Sequence, residues 1–86
     1  MFTLRFSNKA RRAYDTLKGP LLKQLQKTLK LLADNPKHPS LRTHKHHELG
    51  CFESYVQNNT PGAYRVFWTY GPGKDELTIL LIVKHL

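Results

Sequence analysis

The sequence is poor in acid and in sulfur. Its 86 residues include six Asp and Glu against fourteen Lys and Arg, with one Cys and one Met. A lone cysteine, Cys51, excludes an intrachain disulfide, so the fold must be held by packing and hydrogen bonds, and a reducing compartment suits it. A small buried residue at the start of a strand is the commoner role for such a cysteine. Long hydrophobic runs are also missing. The longest, Ile79 to Val83, has five residues, far short of the roughly 20 that span a bilayer. The opening Met-Phe-Thr-Leu-Arg lacks a charged segment followed by an apolar one, so no secretory signal is expected and the chain reads as cytoplasmic. Glycine-rich phosphate loops, a Ser-His-Asp signature and a carboxylate pair are absent too, which removes the commonest nucleotide-binding and hydrolytic readings.

What is present is positive charge, unevenly spread. The formal net charge is +8 with histidine counted neutral. Residues 1–47 carry eleven Lys and Arg against Asp15 and Asp34, net +9, whereas residues 48–86 are net −1. A field of this sign attracts phosphate backbones, acidic proteins or anionic lipid without specifying a sequence, and part of it serves solubility alone. With 40% hydrophobic residues and only five Gly and five Pro, the chain has the composition of one small globular domain. A domain of this size buries a modest share of its surface, so a partner can matter to its stability.

The hydropathy pattern orders the elements. Phe2 to Phe6 alternates as a short strand, and Ser7 is a helix N-cap. Ala10, Ala13, Tyr14 and Leu17 make one helical face, with Lys9, Arg11, Arg12 and Lys18 opposite. After Gly19, Pro20 suits the first turn of a second helix, in which Leu21, Leu22, Leu25, Leu29 and Leu32 oppose Lys23, Lys27 and Lys30. Asn35-Pro36 ends it. Residues 37–50 have no period and read as a long loop, which in a small domain tends to be functional or mobile. Three strands follow, over Cys51–Gln57, Ala63–Tyr70 and Glu76–His85, parted by the turn-rich segments 58–62 and 71–75. The last is apolar on both faces and is expected to be central, flanked by the first. The order β-α-α-β-β-β predicts an α+β two-layer sandwich, an antiparallel sheet with an α-hairpin on one face.

Alternation places Tyr64, Val66, Trp68 and Tyr70 on one face, and Arg65, Phe67 and Thr69 on the other. A guanidinium in the middle of such a strand needs solvent, a carboxylate or a bound phosphate. Pairing with Glu53 or Tyr55 on the neighbouring strand and a functional role are both open, and either puts Arg65 on the face away from the helices. His85, read in phase with Ile79, Leu81 and Val83, is a solvated terminal residue or, beside Arg65, a proton carrier near neutral pH. The four histidines 38, 44, 46 and 47 lack a cysteine or a second carboxylate near them, so a metal site fits poorly. Arg42, His44, Lys45, His46 and His47 read as a polyanion contact or a solvated loop.

In this order, the basic helical pair, the loop HPSLRTHK (38–45), the strand start GCFESYV (50–56), the strand AYRVFWTY (63–70) and the terminal TILLIVKH (78–85) resemble the RelE/ParE superfamily of bacterial toxins over nearly the whole chain. The resemblance implies one toxin domain over residues 1–86, in the bacterial cytoplasm, belonging to a type II toxin–antitoxin pair. Its partners would be a cognate antitoxin, messenger RNA and the ribosome, with no membrane, no cofactor and no metal, as a homodimer or a toxin–antitoxin hetero-oligomer. RelE-like members cleave messenger RNA by driving a 2′-hydroxyl onto the adjacent phosphate. That reaction needs a base, an acid and cations for the charged intermediate. Arg65 matches the family arginine that stabilises phosphate, His85 the terminal histidine acid or base, and Glu53 a carboxylate base found in certain members. Arg42, His44, Lys45, His46 and Lys84 would hold RNA against the open sheet face. Where many members place a tyrosine after the histidine, this chain has Leu86. The alternatives are a ParE-like inhibitor of DNA gyrase without nuclease activity, or an inactive relative that binds only antitoxin or nucleic acid.

Overall fold

The computed structural model describes residues 1–57 and 62–84. Residues 58–61 of the turn expected over 58–62, and the terminal His85 and Leu86, lie outside the described residues. Strand β1 (Thr3–Phe6) leads into α1 (Asn8–Thr16) and α2 (Gly19–Asp34). A 3-10 turn (Pro39–Leu41) precedes β2 (His44–His46), β3 (Cys51–Tyr55), β4 (Tyr64–Tyr70) and β5 (Glu76–Lys84). One five-stranded sheet has the order β1-β5-β4-β3-β2, with β5 flanked by β1 as the double-sided apolar run predicts.

The helices form where the sequence punctuates them. Ser7 caps α1, its hydroxyl accepting from the Ala10 amide at 3.0 Å, and Ala10 is buried while Ala13, Tyr14 and Leu17 pack partly against the core. Gly19 takes the left-handed φ of +62° that the tight helix-to-helix turn requires, and Pro20 sits in the first turn of α2. Leu25, Leu29 and Leu32 are buried on the inner stripe of α2, and the lysines opposite are exposed. They meet Val66, Trp68, Leu77, Ile79 and Ile82 from the sheet. Each such fully buried side chain contributes about 1.5–3 kcal/mol relative to exposure. Among the described residues, no helix is long and apolar enough to cross a membrane.

Three features differ from the sequence expectation. The sheet is mixed rather than antiparallel: β1 runs parallel to β5, with Thr3 opposite Glu76 and Phe6 opposite Ile79. Parallel neighbours need a long connection, and everything between the two strands supplies it. The loop over residues 37–50 is not structureless, because it holds the 3-10 turn and the edge strand β2, paired antiparallel to β3. Finally, β5 is bulged. Phe67 pairs with Leu81 but Trp68 pairs with Ile79, so Leu80 has no cross-strand partner. Its carbonyl accepts from the Ser7 hydroxyl at 2.7 Å. One extra residue reverses the facing of everything beyond it. Leu77 and Ile79 point to the helices, Ile82 does so after the bulge, and Leu81 and Val83 stand on the opposite face beside Phe67 and Arg65. The expected single phase for Ile79, Leu81 and Val83 is thereby corrected.

Candidate functional site

The sheet face away from the helices gathers the titratable groups. On β3, Glu53 and Tyr55 share that face; across the ladder Tyr55 faces Arg65 and Glu53 faces Phe67, while His44 on β2 is opposite Glu53. Glu53 is the hub. Its side chain is 4% exposed, yet its two oxygens have separate partners: Oε1 meets Nε2 of His46 at 2.6 Å, and Oε2 meets Nη1 of Arg65. A carboxylate this buried is tolerable only when paired. Arg65, 15% exposed, also lies over the Tyr55 ring with its Cζ 5.2 Å from the centroid. The pairing with Glu53 or Tyr55 read from the sequence is therefore realised with both residues at once, on the face expected.

The histidines are held by rings as well as charge. His46, 36% exposed, tilts against Phe67 with centroids 5.3 Å apart, and His44 against Tyr55 at 5.6 Å. His38 is elsewhere, its Nδ1 accepting from the Ser40 amide at 3.1 Å, and His47 is exposed in the following turn. Among the described residues, no three His, Cys, Asp or Glu side chains converge as a metal would require. Cys51 is buried at the start of β3.

The structure does not bring the other expected RNA contacts to this face. Because β2 is a strand, alternation sends His44 and His46 one way and Lys45 the other, where its Nζ lies 5.9 Å from the Phe52 centroid. Lys84 follows Ile82 onto the helix side and sits 5.9 Å over Tyr64, turned from Arg65. Arg42 and Lys45 instead line a cleft of about 740 Å³ on the helix side, with Lys37, His38, Thr43, Phe52, Trp68 and Tyr70. The basic loop of the sequence is thus two surfaces. The signal that separates them was present in Phe52 and Trp68, which alternation puts on one face, away from Glu53 and Arg65.

The chain matches no protein-family profile, and no curated protein is detectably similar to it. Solved structures do match. The isolated RelE toxin of Escherichia coli superposes with a TM-score of 0.77 at 17% identity, over 100% of this chain and 86% of that one. A YoeB/ParE toxin from Agrobacterium tumefaciens gives 0.76 at 9% identity, over 99% and 100%. The fold is that of the RelE/ParE toxins. A chain of the heterotetrameric YoeB–YefM toxin–antitoxin complex of Staphylococcus aureus has it too, at a TM-score of 0.71 and 15% identity over 100% and 99% of the chains. In this toxin fold the sequence places the His46–Glu53–Arg65 chain on the sheet face left uncovered by the α-hairpin.

Proposed function

We propose that this protein is the toxin of a type II toxin–antitoxin pair and a metal-independent endoribonuclease acting on messenger RNA, on the ribosome, by attack of a 2′-hydroxyl on the adjacent phosphate. The observation that carries this reading is the buried Glu53 carboxylate, hydrogen-bonded to His46 and ion-paired with Arg65, on the uncovered face of a toxin fold. Arg65 has five N–H donors in a fixed fork, so the one facing Glu53 leaves others for a phosphate oxygen. Held by Glu53 below and Tyr55 alongside, the guanidinium is preorganised for charge that develops on the phosphate. Glu53 is too buried to reach a 2′-hydroxyl and serves to orient its two neighbours. His46 is the more exposed partner of the carboxylate and takes the role of general base. His85 is kept as the general acid for the leaving 5′-oxygen on the sequence resemblance alone. The toxins of similar fold include one crystallised with its antitoxin, and a cognate antitoxin is the partner proposed for this chain.

Induced expression without antitoxin tests the reading, with wild type beside Arg65→Ala, His46→Gln and His85→Ala, following growth and the ends of one messenger RNA by primer extension. Growth arrest with new RNA ends in wild type, absent in the soluble variants, is the expected result. Arrest with intact RNA and inhibited supercoiling would replace it with the gyrase reading, and absence of arrest would leave a binding protein.

A further inference from the structure

The cleft on the helix side of the sheet is lined by residues other than those gathered on the open face. Three cations, Lys37, Arg42 and Lys45, line it, and no Asp or Glu does. Facing them is an aromatic wall. Phe52 stacks on Trp68 with centroids 4.7 Å apart and planes 20° apart, and Tyr70 stands edge-on to both. Tyr70 is 43% exposed, so a large ring is held out to solvent where a core residue would be expected.

The wall and the segment opposite are tied together by hydrogen bonds. The Trp68 indole donates to Ser54 Oγ at 2.8 Å, and that same hydroxyl lies 2.7 Å from Thr43 Oγ1, which ties the cationic segment to the core. Ahead of Thr43, Arg42 occupies the left-handed region, φ 49° and ψ 43°. A bulky residue adopts that conformation only when its surroundings impose it.

Cations on one wall and a fixed aromatic surface on the other match a ligand that has both a phosphate and a flat ring. The volume of about 740 Å³ is in the range of about 300–1,000 Å³ usual for small-ligand sites. We propose that this cleft binds a nucleotide unit, its base against Tyr70 and Phe52 and its phosphate at Arg42 and Lys45, either as a free nucleotide or within single-stranded nucleic acid. An acidic peptide would satisfy the cations, but it makes no use of a ring-lined wall. The inference does not rest on the nuclease reading, since the cleft and Arg65 lie on opposite sides of the sheet.

Trp68 is the chain's one tryptophan and lines the cleft, so its fluorescence reports occupancy. The full chain would be titrated with adenosine 5′-monophosphate, an eight-residue oligouridylate, inorganic phosphate and an octaglutamate peptide. Saturable quenching by the nucleotide or the oligonucleotide is expected. Arg42→Asn combined with Lys45→Gln should weaken it at least about tenfold and reduce the salt slope for the oligonucleotide by about one per cation removed. Tyr70→Leu should weaken nucleotide binding more than phosphate binding, while Gln24→Ala, at an exposed position of α2, should leave both unchanged. Tighter binding of the oligonucleotide than of the mononucleotide identifies single-stranded nucleic acid as the source; equal binding identifies the free nucleotide. Equal affinity for phosphate and nucleotide, quenching that survives the double substitution, or preferential binding of octaglutamate would each overturn the proposal.

Discussion

Arg65 and Arg42 are the same residue type on the two sides of one sheet, and they meet opposite conditions. Arg65 is largely buried, with a carboxylate under it and a tyrosine ring beside it. Arg42 is exposed and lines a cleft without acid. The first guanidinium is part of the fold's own charge balance, so any ligand must be recognised by donors left over from Glu53. The second has no carboxylate beside it in the cleft lining, so its field is available to a partner. A positive chain can therefore hold cations of two kinds, and net charge does not tell them apart.

The largest way to break this contrast is to remove one member of the buried pair. Glu53→Ala leaves Arg65 in a poorly solvated site without its carboxylate and frees His46. Loss of one partner of a buried ion pair is expected to destabilise by about 3–5 kcal/mol, read as a lower urea midpoint at unchanged slope. Replacing both partners, Glu53→Leu with Arg65→Met, should recover most of that loss, because two desolvation penalties vanish with the attraction. If the double variant is no more stable than Glu53→Ala, the pair is not what holds the open face together.

The next step tests the link between the two sides. Ser54 is fully buried and serves Trp68 and Thr43 with one hydroxyl. Ser54→Ala strands an indole N–H and should cost about 1–3 kcal/mol. Amide exchange should rise around residues 41–45 while the Glu53–Arg65 ladder stays protected, and a uniform rise would show that the cleft wall is not anchored separately.

How far the sequence could be read follows from which residues carried a signal. Ser7, the Gly19-Pro20 turn and the leucine stripe of α2 speak locally, through capping, φ and period 3.6, and the structure has them where expected. The Glu53–Arg65 pair was legible because opposite charges on neighbouring strands of one sheet seldom ignore each other. The bulge at Leu80 was not. In a strand apolar on both faces, a slipped phase leaves the hydropathy pattern unchanged, so Leu81 and Val83 could stand on either side. Strand β2 was hidden for the converse reason. His44-Lys45-His46 has no apolar alternation to display, and an edge strand with a charged residue is the form that avoids further pairing. Reading those three residues as one basic loop merged two surfaces that a strand separates.

A smaller effect sharpens the account of the bulge. The Ser7 hydroxyl joins two events, accepting from Ala10 at the start of α1 and donating to Leu80 where β5 loses its register. Ser7→Ala should cost about 1 kcal/mol from the cap and more if the Leu80 carbonyl is left without a donor. Ser7→Asp restores an acceptor at the cap but offers no donor to Leu80. Helix-capping alone predicts full recovery of stability in that variant; partial recovery assigns the remainder to the bulge.

The smallest expected effect on stability is the most informative about the cleft. Lys37, Arg42 and Lys45 are exposed and gather at one cleft without a carboxylate among its lining residues, so they repel one another and contribute no compensating pair there. Substituting any one by glutamine should change unfolding free energy by less than about 0.5 kcal/mol. Substituting all three should raise stability slightly at low ionic strength, and the gain should fade by 1 M salt, where the screening length falls to about 3 Å. A loss of stability, or a gain indifferent to salt, would mean that these cations are used by the fold as Arg65 is, and the distinction between the two sides of the sheet would collapse.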